Sequence, residues 1–259
     1  MFRARTTMLR AAAILALCAI PFVSTTAHAA DVYDDAVAHA GRSAEDQKRD
    51  RTDHPAELLR IAGIKPGMTV ADVLAADGYY SELLSYIVGP QGHVLLLNNE
   101  GYDKFVNNAW RERIDKHHLA NVEHRTIDMA AMNLGEKTLD AAILVKVYHD
   151  LYWVDPKNGW PKIDVGPVLD QIARALKPGG VVLLVDHSAK AGTGSSAAQD
   201  LHRIDEAFAR KDFEAHGFEF VSASDVLRMP DDKRDQITYK GPMVGKTDRF
   251  VLLFRKPAH

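Results

Sequence analysis

Three histidines and their acidic neighbours supply the side chains in this chain that can move a proton or hold a metal: His149-Asp150, Asp186-His187, and His202 with Asp205. An imidazole near its ordinary pKa takes a proton from a hydroxyl or amine at neutral pH. His149 is therefore the first candidate for a general base, with Asp150 as its orienting partner or a direct substrate contact, and His187 as the second candidate. Both pairs have a structural alternative, since a His-Asp step after a strand also makes a hydrogen-bonded turn corner, and Asp186-His187 suits capping and loop closure. His202 and Asp205 stand three residues apart and share a face if a helix runs through them. Joined by Asp186, His187 or His149, they form a mixed oxygen and nitrogen donor set that serves substrate or several divalent ions. Linear spacing does not force that convergence, so no metal is assigned. The other reading is a helix pinned to the sheet by salt bridges through Arg203 and Asp205. Tyr79, Tyr80, Tyr148, Tyr152, Trp153 and Trp160 line an apolar pocket in one reading and pack core and rim in the other.

These residues need a scaffold, and its beginning is written between Thr69 and Glu100. The apolar run Val70-Ala71-Asp72-Val73-Leu74 passes through Ala75-Ala76-Asp77-Gly78-Tyr79-Tyr80 into a helical pattern and then a second strand, the opening βαβ unit of a Rossmann-like fold. A dinucleotide turn has Gly-x-Gly-x-x-Gly, and this turn keeps only Gly78. Asp77, at the first turn of a helix, repels a pyrophosphate that the helix amides would otherwise attract; alternatively it closes an ordinary strand-to-helix turn as an N-cap.

Short β-rich runs then alternate with helical patterns, which demands a mostly parallel sheet with helices on both faces, an α/β architecture. Strands are expected at residues 70–74, 93–97, 122–126, 141–145 and 181–186, with helices at about 81–87, 103–116 and 165–176. A helix over 200–216, with Leu201, Ile204 and Phe208 on one face, is stopped by Gly217. Residues 218–222 and 249–254 follow without a helical crossover between them, and an antiparallel hairpin at the sheet edge completes seven strands. Their connection, residues 223–248, is either a functional loop or a surface excursion. In such a sheet, ligands sit beyond the carboxyl ends of the strands, where Lys146 to Trp153 and Asp186-His187-Ser188 emerge.

The first thirty residues stand apart. Arg3, Arg5 and Arg10 precede an apolar run from Ala11 to Val23, and Ala27-His28-Ala29 or His28-Ala29-Ala30 offers a small-residue cleavage site, the pattern of a secretory signal peptide. Export follows, to the periplasm in a Gram-negative source, with no stable membrane insertion after cleavage. The single cysteine, Cys18, lies in this segment, so a mature chain from near Asp31 excludes disulfides, thiolate catalysis and zinc–cysteine sites together. Removing the three arginines lowers Lys and Arg from 32 to 29 against 35 Asp and Glu. That balance gives no electrostatic reason to expect nucleic acid. Residues 31–62 read as a helical extension ending at a Gly63-Ile64-Lys65-Pro66-Gly67 breaker, and 63–259 as the main domain.

Seven strands with a terminal hairpin, and Leu176-Lys177-Pro178-Gly179-Gly180 introducing the fifth, resemble the class I S-adenosylmethionine-dependent methyltransferases over about Leu58 to Pro257. The first loop also resembles an exported methyltransferase-like group reading Pro-Gly-Gly-Gly-Trp-Tyr, aligned on Ala75 through Tyr80, with Ala76 and Asp77 as departures. The usual methyltransferase loop is Gly-x-Gly-x-Gly. The resemblance implies S-adenosylmethionine as cofactor and a small-molecule acceptor. It assigns Asp72 to the methionine amino group and Gly78, with Tyr79 beside it, to the cofactor turn. Asn98 falls at the position of the acid that grips the ribose, with Glu100 near enough to substitute. Asp128 would meet the adenine amino group and Met129 the ring. A sulfonium donor tolerates Asp77 better than a dinucleotide does. Two other functions remain open from sequence: a binding protein on this scaffold without catalysis, and a metal-assisted hydrolase or lyase.

Overall fold

The computed structural model describes residues 1–2 and 31–258. The expected signal peptide and Cys18 lie outside the described residues. Strands β1 (Thr69–Val73), β2 (His93–Asn98), β3 (Val122–Thr126), β4 (Leu139–Val145), β5 (Leu176–His187), β6 (Glu219–Ser224) and β7 (Arg249–Arg255) form one sheet in the order β3-β2-β1-β4-β5-β7-β6. The first five are parallel; β7 runs antiparallel to both β5 and β6.

Alternation along the central strands builds two cores. Ala71, Val73, Leu95, Leu97, Ala142 and Leu144 face one apolar cluster, and Val70, Val94, Ala141 and Ile143 face the other. A strand buried on both faces reads as a nearly continuous apolar run, which is why β1, β2 and β4 were legible. The first cluster is closed by α7 (Val165–Ala175) and α9 (Glu206–Ala215), through Leu169, Ile172 and Phe213. The second is closed by α4 (Tyr79–Val88), on which α1 (Val32–Val37) and α3 (Pro55–Ile61) pack with Ala36, Leu58 and Leu59. The N-terminal extension is thus part of the core. Its remaining helix, α2 (Ala44–Asp53), carries Arg49 to the first loop.

Two expected helices are broken. The span 103–116 divides into α5 (Glu100–Phe105) and α6 (Ala109–Lys116), because Asn107 and Asn108 are left-handed at φ 50° and 55°. Asparagine tolerates that region better than most residues. The span 200–216 divides into α8 (Ala198–Leu201) and α9, with His202 left-handed at φ 51°. Asp205 is the N-cap of α9, its carboxylate accepting from Ala207 N–H (2.9 Å) and Gly192 N–H (2.6 Å). The expected shared helical face of His202 and Asp205 therefore does not exist. Arg203, fully buried between them, is salt-bridged to Asp232 of the long β6–β7 connection at 2.7 Å and donates to the Gln236 carbonyl. That connection folds back over the sheet edge and delivers Thr238 and Tyr239 to the chemical face.

Candidate active site

A buried polar cluster stands where β4 and β5 end. A short 3-10 turn, His149–Tyr152, follows β4 and aims His149 at the end of β5. Asp186, fully buried, accepts from His149 Nδ1 (2.7 Å), His149 N–H (2.8 Å) and His187 N–H (2.7 Å). Since a carboxylate accepts there, Nδ1 carries the proton and Nε2 is turned toward Asp150 Oδ1 at 3.2 Å. Asp150 Oδ1 also lies 3.2 Å from His202 Nδ1, and its Oδ2 accepts from the Tyr102 hydroxyl at 2.5 Å. Burial pushes the His149 pKa down, but the carboxylates of Asp150 and Asp186 overcome it and hold the imidazole up at about 10. The two carboxylates thus favour the protonated ring, whereas the expected general base needs the neutral one. His187 is driven the other way, well below its ordinary pKa, by burial and then by the charges of His149 and Lys146. It is neutral, with Nδ1 2.8 Å from Thr247 Oγ1.

These side chains border a cavity of about 230 Å³ walled by Tyr102, Phe105, Trp153, Trp160 and Tyr239, with Lys146 at its inner edge. Trp153 and Trp160 thus line the expected pocket, whereas Tyr148 and Tyr152 pack away from it. Both of their hydroxyls meet Asp212. Asp205 stays outside as a helix cap, and Asp186 acts through the histidines it holds.

The face above β1, β2 and β3 is built differently. Leu74, Ala76 and Gly78 are all left-handed, at φ 56°, 54° and 82°. The backbone therefore keeps the conformation that a Gly-x-Gly-x-Gly spacing would serve, at a steric cost for the two residues bearing a Cβ. Gly78 is the N-cap of α4, and a Cβ there would come within 2.8 Å of Leu96 Cδ1. Asp77 does not cap the helix; Arg113 takes its carboxylate at 2.8 Å and its carbonyl at 2.9 Å. Asn98, fully buried, accepts from Ala76 N–H and donates to the Ala76 carbonyl and to Asp103 Oδ1, each at 2.9 Å. Its amide clamps the loop with both N–H groups engaged, so the expected grip on a ribose needs the amide to leave Ala76.

Two hollows flank that clamp. One, about 500 Å³, is lined by Glu100, Asp128 and Met129 together with Asn99, Ile163 and Asp164. Glu100 reaches its rim but pairs with Lys104 at 2.6 Å. The other, about 140 Å³, lies over Asp72, Leu74 and Ala76, with Tyr80 and Lys146 in its wall. Asp72 accepts from Ser81 Oγ at 2.7 Å; burial raises its pKa to about 7. The Tyr80 hydroxyl in that wall is buried and has no partner among the described residues. Tyr79, expected at the cofactor, also lines this small cavity; its ring lies under the Arg49 guanidinium of α2 at 3.8 Å and its hydroxyl donates to Asp50. Asp53, at the end of α2, gathers Arg49 (2.8 Å), Lys146 (2.6 Å) and Arg249 (2.6 Å). Arg49, Asp53, Tyr102 and Lys146 were not singled out from sequence, because their roles come from partners far along the chain.

The fold is that of the class I S-adenosylmethionine-dependent methyltransferases. A SAM-dependent methyltransferase from Aquifex aeolicus superposes with a TM-score of 0.54 at 22% identity, covering 77% of this chain and 87% of that one. The [4+2]-cyclase SpnF superposes at 0.59 with 18% identity, covering 85% of each chain. By sequence, the ubiquinone/menaquinone biosynthesis C-methyltransferase UbiE of Teredinibacter turnerae is 24% identical over 144 residues, 56% of this chain. The chain spans about half (53%) of that relative's length. No family model matches.

Proposed function

We propose that this protein is an S-adenosylmethionine-dependent methyltransferase acting on a small molecule held in the cavity beside His149, His187 and His202. The observation that carries the reading is the first loop: Leu74, Ala76 and Gly78 hold three left-handed positions in the spacing of a methyl-donor loop although two of them are not glycine. The residues present fit the two ends of such a cofactor. The Asp128–Met129 hollow suits an adenine, with a carboxylate for its amino group and a thioether for its ring. The small cavity offers Asp72 and the unpartnered Tyr80 hydroxyl to an amino-acid end. Bound there, the donor would supply an electrophilic methyl group.

The chain's own part is positioning and exclusion of water. Tyr102 stands between donor loop and acceptor cavity, lining both, with Trp160 edge-on to it at 4.7 Å. His149, Asp150, His187 and His202 line the acceptor cavity together, so an acceptor group held there meets imidazole and carboxylate side chains at once.

A second reading is favoured by one observation, the saturation of Asn98 by Ala76 and Asp103 at the place where a ribose grip is needed. On that reading the scaffold binds another small molecule in the aromatic cavity and transfers no methyl group. Calorimetry with S-adenosylmethionine and S-adenosylhomocysteine separates the two. We expect saturable binding that Asp128→Ala weakens at least tenfold; no heat at millimolar ligand removes the methyltransferase reading. Export is proposed on the pattern of the first thirty residues, and N-terminal sequencing of the secreted form should begin near Asp31.

A further inference from the structure

We propose that His149, Asp150 and His202 form a binding site for a divalent first-row transition-metal ion whose open coordination positions face the aromatic cavity. The site stands independently of the methyl donor, which would bind on the other side of Tyr102.

The three side chains each offer a ligand atom, all within 4.8 Å of one another, with His149 Nε2 and His202 Nδ1 each 3.2 Å from Asp150 Oδ1. Nitrogen and oxygen ligands bound to one ion at about 2.0–2.2 Å are separated by about 2.8–3.6 Å. Both histidine-to-carboxylate separations fall in that range, so the carboxylate oxygen can share an ion with either imidazole. Hydrogen bonding alone gives similar distances, so the outer partners decide the argument. Asp186 Oδ1 holds His149 Nδ1 at 2.7 Å and turns Nε2 inward, the carboxylate–histidine arrangement that orients a metal ligand. Tyr102 anchors Asp150 Oδ2 at 2.5 Å, which leaves Oδ1 between the two imidazoles. His202 is carried into place by the left-handed break between α8 and α9, and its ring is fixed between Trp153 at 5.3 Å and Tyr239 at 4.7 Å. Each ligand thus has a fixed orientation.

Two imidazoles and one carboxylate suit Zn²⁺, Co²⁺, Fe²⁺ or Mn²⁺ and disfavour Mg²⁺ and Ca²⁺, which take oxygen ligands. Three protein ligands leave coordination positions free. The cavity in front of them is walled by Phe105, Trp153, Trp160 and Tyr239. A small flat molecule bearing oxygen donors would complete the coordination while its body packs on the aromatic walls.

The test uses the purified protein stripped with chelator and titrated with Zn²⁺ and, separately, Co²⁺, without any methyl donor. We expect one ion per chain at micromolar Kd or tighter, with visible ligand-field bands for Co²⁺. His202→Ala should weaken binding about 100-fold, and Tyr102→Phe about tenfold through loss of the outer anchor. His216→Ala, on a histidine paired with Asp170 elsewhere, should leave it unchanged. The Co²⁺ spectrum of the unmodified protein needs no variant to fold. Absence of stoichiometric binding by either ion, or binding that survives His202→Ala, overturns the proposal. Because no donor is added, this outcome is separate from that of the donor titration.

Discussion

Two regions share the carboxyl edge of the sheet and use their polar groups in opposite ways. Beyond β4 and β5, buried carboxylates orient imidazoles toward an open cavity: Asp186 fixes His149, and Asp150 lies between His149 and His202. Beyond β1 and β2, polar side chains are turned on the protein itself, with Asn98 clamping Ala76 and Arg113 taking Asp77. The first region is preorganised for a ligand, while the second is organised around its own loop. Chemistry at the first region is therefore less sensitive to the loss of glycines than recognition at the second.

The largest test of this contrast is Asp186→Ala. It leaves the His149 cation beside a single carboxylate and strips three donors of their acceptor, so urea denaturation should show a loss of about 3–5 kcal/mol. A loss below 1 kcal/mol would mean the region is not held as described. Asp72→Asn tests the donor floor. The folded pKa of Asp72, about 7, lies above its ordinary 3.8, so the folded form retains a proton that the unfolded chain gives up. Stability therefore falls as pH rises from about 4 to 7, and the penalty is complete above that. The variant should remove this slope and gain about 2–4 kcal/mol at pH 8, read from thermal melts across that range.

Asn98→Asp sharpens the comparison further. It restores the acid usual for the family but faces the Ala76 carbonyl and Asp103 with a second acceptor. We expect about 1–3 kcal/mol of destabilisation and no gain in donor affinity. Leu74→Gly gives the smallest effect on binding: it removes a Cβ at φ 56° and opens the small cavity, while loss of this buried core side chain lowers stability by about 2–5 kcal/mol. Donor binding should tighten about tenfold, about 1.4 kcal/mol. Unchanged affinity would place the limit at Asn98 instead.

The sheet was legible because β1, β2 and β4 are short apolar runs bounded by breakers, and β6 and β7 lack a crossover helix. The outward residues of the strand ends followed from the rule that ligands bind there, which brought His149, Asp150, His187 and His202 to one cavity. The helix breaks were less visible, although the Asn107-Asn108 pair is a signal for left-handed backbone that periodicity alone overlooks. His202 gave no such signal; Asp205 did, being a good cap residue. The charge on His149 depends first on Asp150, its neighbour, and then on Asp186, 37 residues away. The amide of Asn98 depends on Ala76, 22 residues back. Such pairings are set by packing, so residue type and spacing identified the groups but not their protonation or partners.

The most direct measurement is a crystal structure of the protein grown with S-adenosylhomocysteine. The account predicts adenine between Asp128 and Met129, the amino-acid end at Asp72 and the Tyr80 hydroxyl, and the Asn98 amide released from Ala76 to reach the ribose. Ligand bound elsewhere, or an empty cleft with the Asn98 clamp intact at saturating ligand, would contradict it.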